Sequence, residues 1–99
     1  MANEEHAHLL RSRAFISGKV VQDATFLERV RRQAEELGLR GWVSNTQDGR
    51  VEALLEGEAE AVRQMIEWFF SASSSGVEVH ATSVFQETPS PDLVGFEIR

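Results

Sequence analysis

Hydrophobic and polar residues alternate from Arg11 to Val21 (RSRAFISGKVV), with Ala14, Ile16 and Val20 on one face, and this predicts a strand. Over residues 25–37 the period changes to that of a helix. Phe26, Val30, Ala34 and Leu37 fall at i, i+4, i+8 and i+11, and Gly38 follows where a left-handed C-cap belongs. GWVSN (41–45) and RVEALLE (50–56) predict two paired strands around Thr46-Gln47-Asp48-Gly49, because Asp-Gly between apolar runs supplies the positive-φ positions of a hairpin turn. A second helix is expected from Glu58 to Ser71, burying Val62, Met65, Ile66 and Phe69, with Glu58 and Glu60 at the positive end of its dipole. SASSSG (71–76) reads as a linker and VEVHATSVFQ (77–86) as a strand ended by Pro89 and Pro91. GFEIR (95–99) reads as a short closing strand. Residues 1–10 lack periodicity and read as a flexible tail, leaving 11–99 as a single domain.

The order β–α–β–β–α–β has two crossovers of the right-handed type, which place both helices on one face of a sheet. The expected class is α+β: a ferredoxin-like sandwich with an antiparallel sheet, two helices on one face and a short C-terminal strand. That architecture hosts many activities, so it names none.

Composition narrows the field. At 99 residues the chain can bury one two-layer core. Cysteine is absent, which rules out disulfides, thiolate metal sites and thiol catalysis. The net charge of −6 argues against nucleic acid, and the basic cluster Arg29, Arg31 and Arg32 is interleaved with Glu28, Glu35 and Glu36. No apolar run approaches the roughly 20 residues of a membrane span. Met1–His8 lacks the apolar centre of a signal peptide, so a cytoplasmic location is expected. His6 and His8 have no third ligand at a useful spacing, and no metal site is expected. His80 alternates with Val79 and Ala81, which puts it on the solvent face, and the serines at 73–75 belong to the linker rather than to a Ser/His/Asp arrangement. Trp42, Trp68, Phe69 and Phe70 read as packing residues rather than a stacking platform, with Phe70 turned partly outward.

Three stretches together resemble the acylphosphatase family. The first is Ala34-x-x-Leu37-Gly38-Leu39-Arg40-Gly41-Trp42-Val43-x-Asn45-Thr46-x-Asp48-Gly49-x-Val51-Glu52-Ala53, the second Gly57…Val62-x-x-Met65-Ile66-x-Trp68, and the third Gly95-Phe96-Glu97-Ile98-Arg99. The resemblance runs from about Arg13 to the end of the chain. It implies hydrolysis of the carboxyl-phosphate bond of acyl phosphates without metal, cofactor or covalent intermediate. In such a site a glycine-rich loop before helix 1 cradles the phosphate with backbone N–H groups, an arginine opening the helix clamps its oxygens, and a strand-2 asparagine orients the attacking water. Asn45 stands in the asparagine position.

The loop departs from the family pattern. It reads Gly18-Lys19-Val20-Val21-Gln22-Asp23-Ala24-Thr25-Phe26-Leu27, with one residue added before Gln22, Asp23 where the second loop glycine falls, and Leu27 at the arginine position, or Phe26 if the insertion is placed elsewhere. The phosphate loop implied by the resemblance is therefore Lys19, Val21, Gln22, Asp23, Ala24, Thr25 and Phe26. Thr25-Phe26-Leu27-Glu28 also fits a capping box, in which Thr25 and Glu28 would satisfy the N–H groups that phosphate needs. Asp23 adds negative charge where a dianion would sit, costing about 1 kcal/mol at ~4 Å in water and about 4 at an effective dielectric of 20. The expectation is a catalytically impaired or inactive member that keeps a binding or regulatory role, with a small acyl phosphate or inorganic phosphate as partner. One alternative is an active acylphosphatase in which Asn45 orients water and Lys19 or Arg29 holds phosphate. A second is a protein-interaction module that uses an open sheet edge.

Overall fold

The computed structural model describes residues 8–19, 24–71, 78–90 and 92–99. Its elements are β1 (Leu9–Lys19), α1 (Ala24–Glu36), β2 (Arg40–Asn45), β3 (Val51–Glu58), α2 (Ala59–Ser71), β4 (Glu78–Glu87) and β5 (Phe96–Ile98). The strands form one sheet in the order β4-β1-β3-β2-β5, with both helices on one face: the ferredoxin-like α+β sandwich. The sheet is mixed rather than purely antiparallel, because β5 runs parallel to β2, Gly41 facing Phe96 and Val43 facing Ile98.

The core lies between the helices and the alternate residues of the central strands. Ala14 and Ile16 of β1, Val43 of β2, and Val51, Ala53 and Leu55 of β3 are fully buried against Phe26, Val30 and Ala34 of α1 and Val62, Met65 and Phe69 of α2. Trp68 stacks on Phe26 at 6.2 Å and meets Phe69 edge-on at 5.7 Å, so both serve packing. Phe70 is exposed, as expected, and Ile66 is half-buried at the margin of the stripe.

Several expected boundaries shift, each for a visible reason. Leu9 and Leu10, placed in the tail by their lack of period, belong to β1, where they face Glu58 and Gly57 of β3. Ala59 N–H donates to the His8 carbonyl at 3.0 Å, which extends that pairing by one link. Glu58 ends β3 rather than opening α2, leaving Glu60 as the acidic residue of the first helical turn. At the end of α1, Leu39 N–H donates to the Ala34 carbonyl and Gly38 N–H to that of Glu35, the paired bonds of a Schellman cap. The hairpin is not a two-residue Asp-Gly turn. Thr46 N–H donates to the Arg50 carbonyl and Gly49 N–H to that of Thr46, which encloses Gln47, Asp48 and Gly49 and gives the left-handed position to Gly49, at φ 89°. Ser71, placed in the linker, ends α2, while Val20, the rest of the linker at 72–76, Val77 and Pro91 lie outside the described residues.

Candidate functional site

The Schellman cap folds α1 back along β2. Thirteen helical residues rise about 20 Å, and six strand residues cover about the same length. The first turn of α1, with Leu27, therefore lies toward the end of β2 that carries Asn45.

Asn45 is exposed at that end, paired across the ladder with Val51, and on the helix-facing side of the sheet by alternation from Val43. An asparagine at a hairpin entrance can be consumed by its own turn. Here Thr46 takes that part: its hydroxyl accepts from Arg50 N–H at 2.9 Å, donates to the Arg50 carbonyl at 3.1 Å, and contacts the Asp48 carboxylate. The Arg50 guanidinium lies 2.9 Å from Asp48, and with Thr46 it lowers the Asp48 carboxyl to about 2. The Asn45 side chain hydrogen-bonds to none of the described residues, so its amide is available to a ligand or to water.

Leu27 points the other way. It is only 6% exposed and belongs to the same core cluster as Phe26 and Val30. The position where the family resemblance calls for an arginine is occupied by core packing. Ala24 and Thr25 are exposed on the first turn, which carries no charged side chain, and Phe26 is buried. Of the remaining loop residues, Val21, Gln22, Asp23 and the side chain of Lys19 lie outside the described part.

The capping box does not form as the sequence predicts. The helix begins at Ala24, which places Thr25 inside the first turn rather than at the cap. Glu28 turns forward instead: its carboxylate accepts from both Nε and Nη2 of Arg31, one turn on, and that contact lowers its pKa. Arg31 also pairs with Glu35 at 3.0 Å, and its guanidinium is raised chiefly by Glu28. Arg29 forms no ion pair among the described residues and borders a groove of about 200 Å³ with Arg32, Gln33, Glu36 and Trp68, between α1 and α2. That placement turns it away from the inward direction of Leu27.

Sequence reasoning did not find the charged network on the opposite face of the sheet. Arg13 of β1 pairs with Glu52 of β3 and Glu87 of β4, and lies 5.7 Å over the Trp42 ring, while Arg99 approaches that ring at 5.2 Å. Glu87 is lowered by the Arg13 hydrogen bond, and the Arg13 guanidinium is raised by the same contact. The alternation of RSR in β1 with VEALLE in β3 was the available signal, but only the register brings those charges together. Among the described residues no helix is long and apolar enough to cross a membrane.

Comparison with known proteins places this geometry. The sequence model of the acylphosphatase family matches residues 12–98. A protein named acylphosphatase from Roseiflexus sp. (strain RS-1) is 43% identical over 90 residues, covering 91% of this chain and 95% of that one. The crystal structure of acylphosphatase from Bacillus subtilis superposes with a TM-score of 0.81 at 32% identity, over 91% of this chain and 98% of that one. An acylphosphatase from Coxiella burnetii superposes with a TM-score of 0.83 at 30% identity, over the full length of both chains.

Proposed function

The chain belongs to the acylphosphatase family, and from that premise we propose that it binds the phosphoryl group of a small acyl phosphate, or inorganic phosphate, near the start of α1 but turns substrate over slowly, in a binding or regulatory role. The observation that carries the proposal is the burial of Leu27. Phosphoryl transfer by a protein without covalent chemistry rests on positioning and on charge stabilisation. A guanidinium supplies both through a bidentate, charge-assisted fork. In this chain that turn of the helix spends its side chain on the core, and the neighbouring cations are engaged or turned aside: Arg31 by Glu28 and Glu35, Arg29 toward α2. Backbone N–H groups at a helix start still attract an anion, so binding survives better than catalysis.

A second reading is favoured by one observation, the free amide of Asn45. In it the protein is an active acylphosphatase: Asn45 holds the attacking water in line with the carboxyl-phosphate bond, and Lys19 or Arg29 neutralises the phosphoryl oxygens. Hydrolysis of acetyl phosphate, assayed beside the Roseiflexus relative, separates the two. Slow turnover means kcat at least about 100-fold below the relative, the scale of one lost transition-state donor, while phosphate still perturbs the backbone signals of Ala24 and Thr25. A kcat equal to the relative's that collapses in Asn45→Ala would replace the first reading by the second.

A further inference from the structure

Glu56 is fully buried although it lies on the sheet face turned away from the helices. It stands in a row across three strands, with Arg11 of β1 on one side and Arg40 of β2 on the other. Its two carboxylate oxygens are treated unequally. Oε2 accepts from Ser90 N–H at 2.7 Å and lies 3.4 Å from Arg11 Nε. Oε1 is buried with no hydrogen-bond donor among the described residues, and Arg40 Nη2, at 3.8 Å, attracts it without bonding. A buried carboxylate oxygen without a donor is costly, and native proteins supply a partner at such places.

Beside it is a cavity of about 390 Å³ lined by Leu9, Arg40, Glu56, Pro89, Ser90 and Leu93. One water occupies ~30 Å³, so this space holds a small organic molecule. Its chemistry is graded. Glu56, with a side chain 1% exposed, supplies an anion at the inner end; Arg40, 36% exposed, supplies a cation at the mouth. Leu9, Pro89 and Leu93 give apolar walls. The surrounding charges already balance, with Arg11 and Arg40 set against Glu56 and Asp92. A ligand with no net charge enters without stranding an ion. A simple amine would leave Arg40 unpaired, and a simple carboxylate would face Glu56.

We propose that this cavity binds a small zwitterion, an α-amino acid with a short apolar side chain. Its ammonium donates to Glu56 Oε1, its carboxylate accepts from the Arg40 guanidinium, and its side chain lies against Leu9, Pro89 and Leu93. Arg40 needs only to swing off Oε1 to admit it, a motion its exposed side chain can make. The site is independent of the acyl-phosphate reading: Arg40 and Asn45 stand at opposite ends of β2, about 17 Å apart along the strand.

L-leucine titrated into nitrogen-15-labelled protein tests this, with 3-methylbutylamine and 4-methylpentanoate as probes that each keep one charge. Leucine is expected to saturate and to move the amide signals of Arg40, Ser90 and Leu93, with each single-charge probe at least about tenfold weaker. Glu56→Gln and Arg40→Gln are each expected to weaken leucine at least about tenfold. Arg40 is at the surface, so its variant folds even where Glu56→Gln does not. The proposal is overturned if leucine fails to saturate by about 10 mM, if Arg40→Gln binds it as wild type does, or if the amine binds as tightly as leucine.

Discussion

Replacing Gly41 by alanine perturbs the strand that carries Asn45 at a point where the backbone leaves no room. Gly41 adopts φ 143°, a region side chains rarely enter, and a Cβ there would lie 1.8 Å from the Leu54 carbonyl oxygen and 2.8 Å from its carbon. Both contacts are with the main chain of β3, so β2 must move, and Gly41 N–H also donates to the Gly95 carbonyl at 2.9 Å. Backbone strain at such a φ costs about 1–3 kcal/mol. Overpacking of this kind adds about 1–3 kcal/mol. The stiffer unfolded chain offsets about 0.4–1 kcal/mol of this, leaving a net loss of about 1–5.5 kcal/mol. At about 4–8 °C per kcal/mol for a domain of this size, Tm falls by at least about 4 °C. Gly49→Ala is the control: its φ is 89°, yet nothing lies within 4 Å of an added Cβ, so only the strain applies. Thermal unfolding of both variants decides the matter. A loss below about 1 kcal/mol at Gly41, or one no larger than at Gly49, refutes the steric reasoning.

Other consequences follow from the same contacts. Leu27→Ala, which empties a core position 6% exposed, is expected to cost about 2–5 kcal/mol in urea unfolding; a surface-like change under 0.5 would contradict its burial. The Asp48 carboxyl, held at about 2 by Arg50 and Thr46 against an ordinary 3.8, has its folded pKa depressed. Its stabilising contribution is therefore complete above 3.8 and disappears as pH falls from there through about 2. An NMR titration of Asp48 is expected to centre near 2 in the wild type and to move up toward 3.8 in Arg50→Gln; an unmoved midpoint would contradict the pairing. Arg13→Gln is expected to raise the Glu87 carboxyl toward its ordinary range, seen in the same experiment.

The parts of this fold that are local in sequence were legible from it. The stripe Phe26, Val30 and Ala34 announced α1, Gly38 its cap, and the apolar runs around Thr46–Gly49 the hairpin, because each signal lies within one turn or one strand. Features set by distant partners were not. Leu9 and Leu10 are strand because Glu58 and Gly57 pair with them, and β5 runs parallel because Gly41 and Phe96 meet across more than fifty residues of chain. Glu56 looks like an ordinary surface acid in its alternating strand; only the return of Ser90 and the flanking arginines buries it. At the candidate site, the motif supplied Asn45 and Leu27 as candidates, because both stand at fixed spacing from Gly38 and Gly41. That Leu27 is a core residue was not legible, since the helical stripe is complete without it. That Glu28 pairs with Arg31 instead of capping Thr25 depended on where the helix begins.

The most direct test of the central claim is kcat/KM for acetyl phosphate of wild type and Leu27→Arg in one assay, each corrected for its folded fraction by circular dichroism. If the buried leucine is what withholds the clamp, the arginine raises kcat/KM at least about tenfold despite its cost in stability. A wild type as fast as the folded Leu27→Arg variant would contradict the account.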